Sequence, residues 1–217
     1  MELCAATLQD LVLGAYKGPK VGNHRQMLHQ ITLGVEFLHS KDIVHRDINP
    51  QNIYISIPNG TKPPTMKVGD FGMRRLVGQG RFSLDQVAGT KDFMAPEVRQ
   101  SSAFTCPMDI YSLACAFSYT LTEKRINATK KSRSYKAVYS ILFELIRSML
   151  SPDPKLRPSA TQVLKNAFFN PGRSSRNDIP DSQSSFPQSS QSVLSQVSGK
   201  NRNTFLLLSR QINKSFS

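Results

Sequence analysis

The chain has no tryptophan and only three cysteines in 217 residues. Cys4, Cys106 and Cys115 show neither paired nor metal-type spacing, which excludes a disulfide framework and a cysteine-rich metal centre. This usage fits a reducing compartment in which the thiols act as small apolar side chains. No stretch approaches the roughly 18 apolar residues that a membrane-spanning helix needs. Met1-Glu2-Leu3-Cys4-Ala5 lacks the basic start of a secretory signal, so a cytoplasmic chain is expected. No internal repeat is visible. Acidic residues are also scarce: 15 against 28 Lys and Arg, for a formal net charge of +13. That balance favours anionic partners in general, such as nucleotide phosphates, acidic peptides, RNA or anionic lipid, without selecting one. The last 48 residues carry net +4 and the first 169 the remaining +9. Charge so widely spread reads as a soluble basic surface, and no specific nucleic-acid site is expected.

Hydrophobic residues make up 39% of the chain, and the length allows one domain with a sizeable core plus a tail. Thr7-Leu8-Gln9-Asp10 has the form of a capping box and opens a short helix through Leu11 and Leu13, broken by Gly18-Pro19 and Gly22. Asn23 and Gln26 form a second box before a longer helix whose Met27, Ile31, Val35 and Leu38 share one buried face. Ile43-Val44, Ile53 to Ser56 and Met66 to Val68 read as short strands, the last two as a hairpin with a long loop. Pro107 to about Thr122 is a strongly apolar helix containing Leu113, Phe117 and Leu121. Ala137 to Leu150 is helical, and Ser159 to Gln162 caps a final short helix ending near Phe168-Phe169. Composition shifts after Asn170: thirteen of the last 48 residues are Ser. Such a segment buries too little apolar area to offset its ordering entropy. Residues 171–203 are therefore expected to be disordered, and Phe205 to Leu208, with Arg210 and Lys214, reads as a frayed basic end.

Five motifs occur in order: His45-Arg46-Asp47, Asn52, Asp70-Phe71-Gly72, Ala95-Pro96-Glu97 and Arg157-Pro158. An Asp that accepts a substrate hydroxyl proton, an Asn five residues on and an Asp in a DFG loop are the parts that magnesium-assisted phosphoryl transfer needs. Together the motifs resemble the C-terminal lobe of a protein kinase. Met1 to Gln9, Ile43 to Ser56, Gly89-Thr90 and Leu150 to Phe169 narrow the resemblance. They are similar to the inositol-requiring ER-stress sensors, transmembrane kinase–endoribonucleases of the unfolded protein response.

The resemblance implies a mainly α fold: a kinase-like C-terminal lobe over residues 1–169, with a small β-hairpin carrying the catalytic and DFG loops. A Ser/Gln-rich tail over 170–217 follows. It implies ATP and Mg2+ as cofactors, with a protein substrate or a kinase partner, and a dimer through the kinase domain. Asp47 would orient or deprotonate the attacking hydroxyl. Asn52 and Asp70 would be the metal ligands, and backbone groups of Glu2 and Cys4 would meet the adenine edge. An ordinary strand-to-helix linker is the competing reading of Glu2 and Cys4. Arg46 would pair with a phosphorylated activation loop, for which Ser83 and Thr90 are the candidate acceptors. Glu97 and Arg157 would form a buried ion pair, and Asp109 would hold the catalytic-loop backbone.

Three departures matter. Asn49 stands where serine/threonine kinases carry a catalytic-loop Lys near the γ-phosphate, and it brings no charge. The sequence opens at the hinge, so an upper lobe with its Gly-rich loop, strand Lys and αC Glu is expected to be absent. All four His (His24, His29, His39 and His45) precede Arg46, and no ribonuclease site is expected. The expectation is a serine/threonine kinase domain, weak or inactive as this chain. A catalytically inactive binding module (a pseudokinase), or a non-functional fragment, is the alternative.

Overall fold

A computed structural model describes residues 3–58, 63–70, 75–76, 91–99, 105–122 and 133–171. In chain order the elements are β1 (Ala6–Thr7), α1 (Leu8–Leu13), α2 (His24–His39), β2 (Ile43–Val44), β3 (Ile53–Ser56), β4 (Thr65–Val68) and β5 (Arg75–Leu76). Short 3-10 turns at Lys91–Phe93 and Pro96–Arg99 lead to α3 (Cys106–Thr122) and α4 (Arg133–Met149). A further turn at Pro154–Leu156 precedes α5 (Ala160–Lys165). The fold is mainly α, as the sequence predicts, with two small antiparallel sheets, β1-β3-β4 and β2-β5.

Helix starts follow local chemistry. Thr7, Asn23 and Ser159 each cap the backbone N–H three residues on, and Asp10, Gln26 and Gln162 return the bond. Each exchange satisfies two helix-end donors that would otherwise lack partners. The end of α1 corrects the sequence reading. The helix stops at Gly14, four residues before Gly18-Pro19. Gly14 adopts φ 77, the left-handed conformation that closes a helix at little cost only for glycine. α4 also begins four residues earlier than Ala137.

α2 and α3 form the centre. Met27, Ile31, Val35 and Leu38 are buried on one face of α2, and Leu113, Phe117 and Leu121 on α3. The predicted hairpin is present, with Ile53 opposite Val68 and Ile55 opposite Met66. Two pairings escape the sequence reading because their strands are two residues long: β1 on β3, and β2 on β5. Both matter, since they tie the hinge end and the segment after Asp70 to the catalytic loop. The tail from residue 172 onward lies outside the described residues.

Candidate active site

Val44 ends β2, and the chain then turns through Arg46 at φ 75. A left-handed conformation costs a non-glycine residue about 1 kcal/mol or more, so it needs external support. Asp109, in the first turn of α3, supplies it. Its Oδ2 accepts from the His45 N–H at 2.8 Å, and its Oδ1 from the Arg46 N–H at 2.8 Å. His39 Nε2, from the end of α2, adds a contact to Oδ2 at 2.9 Å. Asp109 is fully buried, and these partners answer the cost of burying a carboxylate. The role predicted for Asp109 is the one it has here.

The loop is then closed on Asp47 by two amides. Asn49 Nδ2 donates to Asp47 Oδ1 at 2.8 Å, and Asn52 Nδ2 donates to Asp47 Oδ2 at 2.7 Å. Asn52 Nδ2 also reaches the Asp47 carbonyl at 2.9 Å. Asn49 Oδ1 in turn accepts from the backbone N–H groups of Gln51 and Asn52, at 2.8 and 3.2 Å. Asn49 is therefore turned into the loop and is only 2% exposed. Each carboxylate oxygen retains lone-pair capacity, so Asp47 can still accept a hydroxyl proton.

Asp70 is brought alongside by the hairpin. The Gly69 N–H donates to the Asn52 carbonyl at 2.9 Å. His45 Nε2 lies 2.9 Å from the Gly69 carbonyl. A carbonyl only accepts, so Nε2 carries the proton, and Nδ1 accepts from the Asp47 N–H at 3.3 Å. Asp70 follows, exposed and at φ 58. Asp47, Asn52 and Asp70 thus sit on two loops stitched together at Gly69.

The hinge end is fixed to the same frame. The Ala5 N–H donates to the Ile55 carbonyl at 2.8 Å, and the Gln9 N–H to the Pro50 carbonyl at 3.1 Å. Cys4, half-buried, lies at the start of this segment. Glu2, Phe71-Gly72, Ser83 and Thr90 lie outside the described residues. The Glu97–Arg157 pair is present and forked, at 2.6 and 2.7 Å. Sequence reasoning missed His39 and the His45–Gly69 bridge. The partner of His39 lies 70 residues away, and no local pattern signals it.

This geometry defines a class: a His-Arg-Asp loop beside the loop that carries Asp70, braced by a buried Asp and an Arg–Glu fork. The protein kinase domain family model matches residues 1–169, and the chain belongs to that family. It is 32% identical to the serine/threonine-protein kinase/endoribonuclease ire-1 of Caenorhabditis elegans, over 78% of this chain and 20% of that protein. It is 34% identical to the serine/threonine-protein kinase/endoribonuclease IRE2 of Homo sapiens, over 78% of this chain and 21% of that protein. An inactive serine/threonine-protein kinase, PLK5 of Mus musculus, is 31% identical over 68% of this chain and 26% of its own length. The chain therefore spans about a fifth of the two kinase/endoribonucleases.

Among the described residues, no group of three or more His, Cys, Asp or Glu side chains converges as a metal cage. Magnesium bound with a nucleotide takes most of its oxygens from phosphate and water, and needs only one or two protein ligands. The hard oxygens of Asn52 and Asp70 fit that demand. Among the described residues, no helix is long and apolar enough to cross a membrane.

Proposed function

We propose that this chain is an ATP-binding serine/threonine kinase domain of the ER-stress-sensor type, facing the cytosol, in which phosphoryl transfer is weak. The carrying observation is the inward amide of Asn49. It completes the frame around Asp47 but places no positive charge toward the γ-phosphate. Preorganised charge at that point is commonly worth a few kcal/mol of barrier. Asp47 orients the substrate hydroxyl and takes its proton. Asn52 and Asp70 hold Mg2+, which when bound neutralises phosphate charge. Backbone groups near Glu2 and Cys4 receive the base. Arg46 pairs with a phosphate placed on the loop bearing Ser83 and Thr90.

A radiolabelled phosphate-transfer assay with an Asp47→Ala control tests the reading. Slow transfer above the control supports it, and Asn49→Lys is expected to raise the rate about tenfold or more. Transfer no faster than the control, in both the native chain and Asn49→Lys, would leave the second reading: a kinase-like module that binds without catalysis. The similarity to a relative named inactive favours that second reading.

A further inference from the structure

Helix α2 is covered on two sides and open between them. On one side Thr161 of α5 donates to Glu36 Oε1 at 3.3 Å, and Phe168 and Phe169, just past α5, lie against Arg25 and His29. On the other side Gln30 Oε1 accepts from the Met66 N–H of β4 at 2.9 Å, and a Cβ added at Gly34 would fall 3.0 Å from Val68 Cγ2. Leu33 and Phe37 stand between these seams, one turn apart, and are 45% and 61% exposed. Among the described residues, no other two exposed large hydrophobic side chains stand one turn apart on a helix. Single apolar residues on a surface need no explanation, but a row at helical spacing offers a face to another helix.

The same chain carries a stripe of matching period. Phe205, Leu208, Ile212 and Phe216 recur at intervals of 3, 4 and 4, so on a helix they share one face. Arg210 and Lys214 fall on the opposite face, and Thr204 precedes the run as an N-cap residue. Alone such a segment frays, since a helix this short is marginal in water without a surface to pack on. Its place in the chain supplies one. The described fold ends at Pro171, two residues past the Phe168-Phe169 pair that touches α2. From Arg25 to Phe37 the helix runs about 18 Å. A flexible polar chain of 33 residues, the length of 172–204, spans about 30 Å. A segment tethered within reach acts at about millimolar effective concentration, which suits a stripe of only four anchors.

We propose that residues 205–216 dock as a helix on α2 of the same chain. Phe205, Leu208, Ile212 and Phe216 lie over Leu33 and Phe37, between α5 and the hairpin, and Arg210 and Lys214 stay in water. This is helix-in-groove recognition with the groove and its ligand on one chain.

Hydrogen–deuterium exchange of the full chain, read by mass spectrometry at a low and a high protein concentration, tests this. Amides of 205–216 are expected to exchange about tenfold or more slowly than an unstructured chain of the same sequence. Leu33→Gln with Phe37→Gln, and separately Leu208→Asp, are expected to bring that protection below about twofold. Both α2 positions are exposed and glutamine suits a helix, so a thermal melt of the paired variant is expected to match the native chain. If it melts early, each single replacement is read instead. Absence of protection at 205–216 in the native chain overturns the proposal. So does protection that survives the α2 replacements, which would place the segment on another surface. Protection that rises with protein concentration also overturns it, because a second copy would then be the partner.

Discussion

Asp109 shows how one residue sustains the site. Its carboxylate holds two consecutive backbone N–H groups, one of them on the left-handed Arg46. Asp109→Ala leaves both donors without their carboxylate, and each buried orphan costs about 1–3 kcal/mol. A loss of about 3 kcal/mol in a urea titration is expected. A loss under about 1 kcal/mol would show that the turn is supported elsewhere. The three thiols separate by burial. Cys115 is 1% exposed, and burial pushes its thiol strongly up. Burial also raises Cys106, with Asp109 nearby adding to the effect. The thiolate is the reactive form. Iodoacetamide at pH 8, followed by mass spectrometry, should label Cys4 first, Cys106 slowly and Cys115 only on unfolding. Early labelling of Cys115 would contradict its place in the core.

At the scale of elements, legibility tracks the range of the signal. All three capping boxes are readable because the partners lie three residues apart, and the α2 stripe because helical period decides burial. The β1–β3 and β2–β5 pairings are not, since two-residue strands carry no alternation and their partners are remote. In the site, the motif spacing singles out Asp47, Asn52 and Asp70 as candidates, yet no spacing shows that Asn49 folds inward. That depends on the backbone N–H groups of Gln51 and Asn52, exposed by the turn itself. The α1 cap has a pH signature. Backbone and then side-chain bonds from Thr7 hold the Asp10 carboxyl below its ordinary value of 3.8. A carboxylate favoured in the fold stabilises it fully above that unfolded value, and the gain is lost as pH falls through the folded one. Thr7→Ala should cost about 1 kcal/mol at pH 7. That difference between variant and native chain should shrink in urea titrations below pH 4, and a constant difference would exclude the Thr7 hydroxyl as a donor to the Asp10 carboxylate.

Across the whole molecule, one guanidinium joins three segments. Arg157 precedes α5 and has a fully buried side chain. It forks onto both oxygens of Glu97, in the turn Pro96–Arg99. It also donates to the carbonyls of Pro107 at the start of α3, Ser151 after α4, and Pro152 at the longer distance of 3.5 Å. Five donors meet five acceptors, and the guanidinium also stands over the Tyr111 ring, 5.0 Å from its centroid. Only a planar fork satisfies this set. Lysine offers a point charge and three donors, so Arg157→Lys should rescue little. Removing one partner of a buried pair strands the other, at about 3–5 kcal/mol, against a total of about 5–15 for a domain. Arg157→Ala and Glu97→Gln should therefore lower the urea midpoint sharply at an unchanged slope, because the loss is of stability and not of buried area. A double variant should lose less than the sum of the two, since each alone already breaks the pair. Full additivity would mean that Glu97 and Arg157 act separately, and that the segment after Thr90 is anchored to the helical core by other contacts.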